Sequence, residues 1–85
     1  MKFHYSNHVH EELAKRKLPL SLLEEVLYAP EQKVPEVDNI TCYQSRVEIG
    51  GKRYLLRVMV NDTVNPPVVV TVYRTNKLSK YWRSS

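Results

Sequence analysis

The last twelve residues, RTNKLSKYWRSS, hold four cations (Arg74, Lys77, Lys80 and Arg83) and no acid. If residues 76–83 are helical, Lys77 meets Lys80 and Tyr81 three and four positions on. Two ammonium groups and a phenol then share one side, with Arg74 at the end of the preceding segment. A nuclease that works without metal needs such a set. Attack by a ribose 2′-hydroxyl builds charge on a phosphorane that cations must hold, and a proton donor must serve the departing 5′-oxygen. Arginine suits the planar phosphate contact and lysine adds a point charge. The plainer alternative is that these cations complement a helix dipole and solubilise the tail.

Further cations come from the middle of the chain. Arg53 and Arg57 are spaced to share one face of a strand, opposite its apolar face, and a mid-strand Arg57 reads as part of a basic platform. Arg46 shares a face with Glu48 and can pair across the hairpin, worth at most about 1 kcal/mol if exposed. His8, whose imidazole titrates near neutrality, can move a proton; otherwise it is a surface residue at a helix start. His4, His8 and His10 do not make a metal site on spacing, because residues two apart on a helix point to opposite sides and no second ligand cluster accompanies them. No cofactor is implied either: there is no Gly-rich phosphate loop, G-x-S-x-G or H-E-x-x-H. Cys42, within a strand, reads as a small buried side chain.

The elements that position these residues are legible in outline. Ser6 or Asn7 can cap a helix over residues 8–17 that buries Val9 and Leu13. After Pro19, Ser21 and Glu24 match a capping box, and Leu22, Leu23, Val26 and Leu27 form an apolar face ended by Ala29-Pro30. From residue 33 the period changes to two. Val34-Pro35 fits an edge strand, since proline donates no ladder hydrogen bond, and Asp38-Asn39 gives a turn. Residues 40–49 and 52–61 form a hairpin about Gly50-Gly51. Within the second strand Tyr54, Leu56, Val58 and Val60 face the core, with Arg53, Leu55, Arg57 and Met59 on the other side. Val68–Tyr73, apolar on both faces, reads as an interior strand. Asn76 can cap a final helical turn whose Leu78 and Trp82 pack inward.

These elements make a single domain, residues 1–85, of α+β class: two short N-terminal helices packed on a four-stranded, mainly antiparallel sheet, with a short C-terminal helical turn. A hydrophobic fraction of 42% with 26% charged residues is ordinary globular composition. One cysteine, no apolar run of signal-peptide length and none of membrane-span length lead to the expectation of a soluble cytoplasmic protein. Charge is uneven. Residues 1–38 hold five Lys/Arg against seven Asp/Glu, and residues 39–85 hold eight against two. A basic half carrying Tyr43, Tyr54, Tyr73, Tyr81 and Trp82 suits a polyanionic partner; a solvated basic surface is the other reading.

The chain resembles the bacterial family called domain of unknown function 4258, which shows H-A-x-x-R-M-x-x-R-x-I near its start and V-T-V-Y-x-T-x-K-x-x-K-Y-W at its end. The first pattern here runs from His8 to Leu18, keeping His8 and Arg16 but with Val9 for alanine and Glu12 for arginine. The second runs from Val70 through Val72, Tyr73, Thr75 and Lys77 to Lys80-Tyr81-Trp82. That family is similar in layout to RelE-like and BrnT-like toxins, whose helices cover one sheet face while the other face and the C-terminus present cations and Tyr or His to RNA. The resemblance implies a catalytic set of His8, Arg57, Arg74, Lys77 and Tyr81, with Arg53, Lys80 and Arg83 binding RNA. The function it implies is a toxin of a type II toxin-antitoxin system, a metal-independent endoribonuclease held inactive by a small antitoxin. The alternative is a non-catalytic nucleic-acid- or protein-binding domain on the same scaffold, including a gyrase-poisoning relative. A third reading has the edge strand at 33–37 pair with another chain.

Overall fold

The computed structural model describes residues 2–84. The chain runs β1 (His4–Tyr5), α1 (Asn7–Lys15), α2 (Leu20–Tyr28), β2 (Gln32–Pro35), β3 (Thr41–Ile49), β4 (Lys52–Asn61), β5 (Val68–Thr75) and α3 (Leu78–Tyr81). The strands form one mixed sheet in the order β1-β5-β4-β3-β2, with β1 parallel to β5 and every other pair antiparallel. The expected four-stranded sheet therefore gains a fifth strand. A two-residue strand has no periodicity to read, and β1 is defined by backbone bonds at its ends, from His4 N–H to the Pro67 carbonyl (2.8 Å) and from Ser6 N–H to that of Val69 (3.1 Å).

Local chemistry explains most boundaries. Ser6 caps α1 by accepting from the Val9 N–H at 3.1 Å, satisfying a donor that the first helical turn leaves open. The Ser21–Glu24 capping box does not form: α2 starts at Leu20 with Pro19 as its cap, no side chain caps it, and the Pro19 carbonyl accepts the first helical bonds. Ser21 thus lies inside the first turn, two positions past the cap. The turns at Asp38-Asn39 and Gly50-Gly51 both have two consecutive positive φ values (57° and 63°; 58° and 78°), the geometry that suits a right-twisted hairpin. Pro35 ends β2 on the sheet edge, where its missing donor costs nothing.

Both helices pack on one face of the sheet. Val9 and Leu13 of α1 and Leu23, Val26 and Leu27 of α2 meet Tyr43 of β3, Leu56, Val58 and Val60 of β4, and Val69 and Val72 of β5. Val69 and Val72 are three apart, yet both point into this core. The register shift between Met59 and Val60 makes this possible: Met59 pairs with Thr71 but Val60 pairs with Val69, leaving Val70 as an extra residue. The bulge sets the facing of everything after it. Arg74, opposite Leu56, falls on the helix-covered face, and Tyr73, opposite Arg57, falls on the other.

That other face is not open as expected. Leu55 and Cys42 are fully buried there and Arg57 keeps only 4% of its exposure, because the C-terminal segment folds back across it. Helical structure in this segment is limited to the one turn of α3, whose cap is Lys77 and not Asn76; Leu78 and Trp82 are half-buried. Among the described residues no helix is long and apolar enough to cross a membrane.

Candidate functional site

Arg57 is the hub of the face away from the helices. β4 places it opposite Gln44 on β3 and Tyr73 on β5, and side chains directly opposite on antiparallel strands are close enough to bond. Its Nε donates to Gln44 Oε1 at 2.8 Å, Nη1 to the Tyr73 hydroxyl at 2.6 Å and Nη2 to Glu36 Oε2 at 3.4 Å. The Tyr81 ring lies against the guanidinium, 4.4 Å from its carbon to the ring centroid. A buried cation is costly unless it is paired in this way. Burial works against the charge on Arg57, but the hydrogen bond to the Tyr73 hydroxyl, with the Glu36 carboxylate nearby, holds its pKa above the ordinary value. Three of the five guanidinium N–H groups are used by these bonds, leaving one on each terminal nitrogen for a ligand.

Tyr73 is held as a proton donor. Its oxygen accepts from Arg57, which leaves its own O–H to point elsewhere. Burial raises its pKa against the opposing pull of Arg57, so the phenol keeps its proton at neutral pH. Burial likewise pushes the Cys42 thiol up to about 11, which removes it as a nucleophile.

The C-terminal strap is tied down by two glutamines. Gln44, fully buried, donates through Nε2 to Gln32 Oε1 (2.8 Å) and to the Tyr81 carbonyl (3.2 Å). Gln32 in turn donates to the Arg83 carbonyl (2.6 Å) and accepts from the Arg83 N–H (3.1 Å). The amide whose oxygen orients Arg57 is therefore the same amide whose nitrogen holds the strap. A shallow hollow of about 250 Å³ opens beside it, lined by Val34, Glu36, Arg57, Lys80, Tyr81 and Arg83. Its chemistry is a buried guanidinium as floor, a carboxylate and the Tyr81 phenol at the sides and two cations at the rim, with Tyr73 reaching it only through its bond to Arg57.

Of the residues singled out from sequence, Arg57, Tyr81, Lys80 and Arg83 come together here. Arg53 lies beside Trp82 at a neighbouring hollow, and Lys77 is exposed where the chain enters α3. Two others stand apart. Arg74 does not reach the strap-covered face; it lies on the helix side, its guanidinium carbon 4.8 Å from the Tyr54 ring centroid. His8 is exposed on α1, which packs on that same helix side. Arg46 pairs with Glu31 and not with Glu48, at 2.9 Å between Nη2 and Oε2. Glu36, Gln44 and Tyr73 were not legible as site residues. The usable signal was parity: Gln44 falls opposite Arg57 by counting back through the Gly50-Gly51 turn, whereas Tyr73 falls opposite it only once the bulge is placed.

The fold and this site define a small α+β domain with a cationic, aromatic-walled sheet face. The model of the family described as Domain of unknown function (DUF4258) matches residues 5–74, and the chain belongs to that family. The matched span includes Glu36, Gln44, Arg57 and Tyr73 and ends before Lys77, Lys80, Tyr81 and Arg83. Comparison with curated proteins and with solved structures gives no match.

Proposed function

We propose that the chain is a RelE-like toxin of a type II toxin-antitoxin system: a cytoplasmic endoribonuclease that needs no metal and is silenced by a small acidic antitoxin covering its basic face. The observation that carries this reading is the Arg57 hollow, where a preorganised guanidinium and a carboxylate converge and the Tyr73 phenol is bonded to that guanidinium. Arg57, with two N–H groups to spare, receives the scissile phosphate, and Lys80 and Arg83 add charge at the rim. The 2′-oxygen attacks phosphorus while its proton passes to the Glu36 carboxylate. The bond to the 5′-oxygen breaks, and that oxygen takes the Tyr73 proton. The products are a 2′,3′-cyclic phosphate and a 5′-hydroxyl. Tyr81 holds the guanidinium in plane by stacking on it. In this scheme Glu36 and Tyr73 take the proton-transfer roles that the resemblance implies for His8 and Tyr81.

A second reading, non-catalytic binding of nucleic acid or protein on the same face, is favoured by the extent to which Arg57 is already bonded within the chain. One set of measurements separates the two. Induced expression of the ribonuclease arrests growth, and the purified protein cuts single-stranded RNA in the presence of EDTA, leaving cyclic phosphate ends. Glu36→Gln and Tyr73→Phe each slow cleavage by roughly 10²–10⁴-fold without loss of RNA binding. RNA binding with no cutting by the parent protein selects the second reading. Cleavage that is lost with EDTA and restored by added magnesium or zinc rejects the mechanism.

A further inference from the structure

The strap bounds a second hollow on its other side. Past α3 the chain is extended at Trp82 (φ −70°, ψ 129°), so successive side chains point opposite ways. Tyr81 and Arg83 line the Arg57 hollow, whereas Trp82 and Ser84 line a space of about 390 Å³ with Arg46, Arg53, Leu78 and Ser79. That volume is within the range of small-ligand sites. Resting on the RNA reading above, we propose that this second hollow is a nucleobase subsite, taking the base beside the phosphate held at Arg57 and preferring guanine.

The wall is built before any ligand arrives. The Arg46 guanidinium stacks on the Trp82 indole, 4.4 Å from its centroid, and a two-pronged contact with Glu31 (Nε–Oε1 3.1 Å, Nη2–Oε2 2.9 Å) fixes it there. With Leu78 it gives the flat, partly apolar surface on which an unpaired base stacks. Arg53 supplies the selectivity. Among the described residues it forms no ion pair, even with Glu48, its partner across the hairpin, and a guanidinium can only donate. Guanine offers two adjacent acceptors, N7 and O6, to such a fork. Cytosine offers N3 and O2 but on a smaller ring that covers less of the wall, adenine sets an amino donor beside its N7 and N1 acceptors, and uracil sets an N–H between its two carbonyls. The alternation of the strap puts the two hollows on either side of one short segment, with the adjacent residues Trp82 and Arg83 lining one each.

Trp82 is the only tryptophan, so its fluorescence reports on this hollow directly. The probes are the four 3′-nucleoside monophosphates, which share a phosphate and differ in base. The parent protein should bind the guanine nucleotide about tenfold tighter than the adenine or uracil ones, with cytosine between and with quenching of Trp82. Arg53→Gln, at an exposed hairpin position, should erase that difference and leave a weaker, base-independent affinity. Lys80→Gln should weaken all four nucleotides alike and preserve the difference. Equal affinity for the four bases in the parent, or an unchanged preference in Arg53→Gln, overturns the base subsite while leaving phosphate binding at Arg57 standing. Failure of all four nucleotides and of single-stranded RNA to bind overturns both.

Discussion

The two faces of the sheet are buried by different physics. On the helix side, Leu23, Val26, Val58, Val60, Val69 and Val72 exclude water without needing partners, and stability there scales with apolar area. On the strap side, Gln44 is as deeply buried as those aliphatics and Arg57 nearly so, but they remain so only because their donors and acceptors are matched. Among the described residues, no buried side-chain nitrogen or oxygen lacks a partner. The first face tolerates conservative exchange of hydrophobic shape. The second tolerates little, because removing one member strands another. A polar network covered by a single-turn helix is poor economy for stability alone, and its presence directs the search for function to the strap side.

Gln44→Leu is the sharpest way to break this contrast. Leucine keeps the bulk and adds apolar surface, so on a face governed by area it should be nearly neutral. On a face governed by matching it strands the Arg57 Nε–H and releases Gln32 and the Tyr81 carbonyl, a cost at the upper end of about 1–3 kcal/mol. Denaturant unfolding should show that loss. Trp82 emission in the folded state should also move to the red as the strap loosens. A neutral variant with unshifted emission would mean that the two faces do not differ in kind.

How much of this could be read from the chain depended on whether the signal was local. The helix over Asn7–Lys15, the β3–β4 hairpin and the core parity of β4 follow from a cap, two glycines and a period of two, all within a few residues. The site is non-local. Arg57 was visible as a cation opposite a core face, but its partners Gln44, Tyr73 and Glu36 come from three other segments. The decisive element for β5 was the extra residue Val70, which a run of valines conceals because each alternative register looks equally apolar. The strap was misjudged for a related reason. Cations spaced three apart, with Tyr81 four from Lys77, suggest a helical face, yet the segment straightens after Tyr81, and its partners on the sheet, Gln32 and Gln44, lie far back in sequence.

A smaller effect is expected from Arg74, which sits on the helix side against Tyr54. Arg74→Ala removes a partly exposed cation–π contact worth about 0.5–1 kcal/mol and touches nothing in the Arg57 hollow. Thermal melting should fall slightly while RNA cleavage stays at the parental rate. A folded Arg74→Ala protein that binds RNA but no longer cuts it would move the chemistry to the helix side and reverse the comparison.

The smallest change tests whether surface charge also braces the strap. Glu31 holds Arg46 against Trp82, and the side-chain bond from Arg46, followed by the bond from its backbone N–H, keeps the Glu31 carboxyl below its ordinary value of 4.5. A carboxyl lowered on folding contributes stability that is fully present above its ordinary value and is lost as pH falls through the lowered one. Both partners are largely exposed, so water and salt screen the pair and its contribution is small. Glu31→Gln should therefore unfold at slightly lower denaturant than the parent near neutral pH, and the two curves should converge in acid, well below the ordinary carboxyl range. Raising the salt at neutral pH should narrow the same gap. If the gap instead persists unchanged into acid, the Glu31 charge contributes nothing to the brace, and the strap is held by the glutamines and by packing of Trp82 alone.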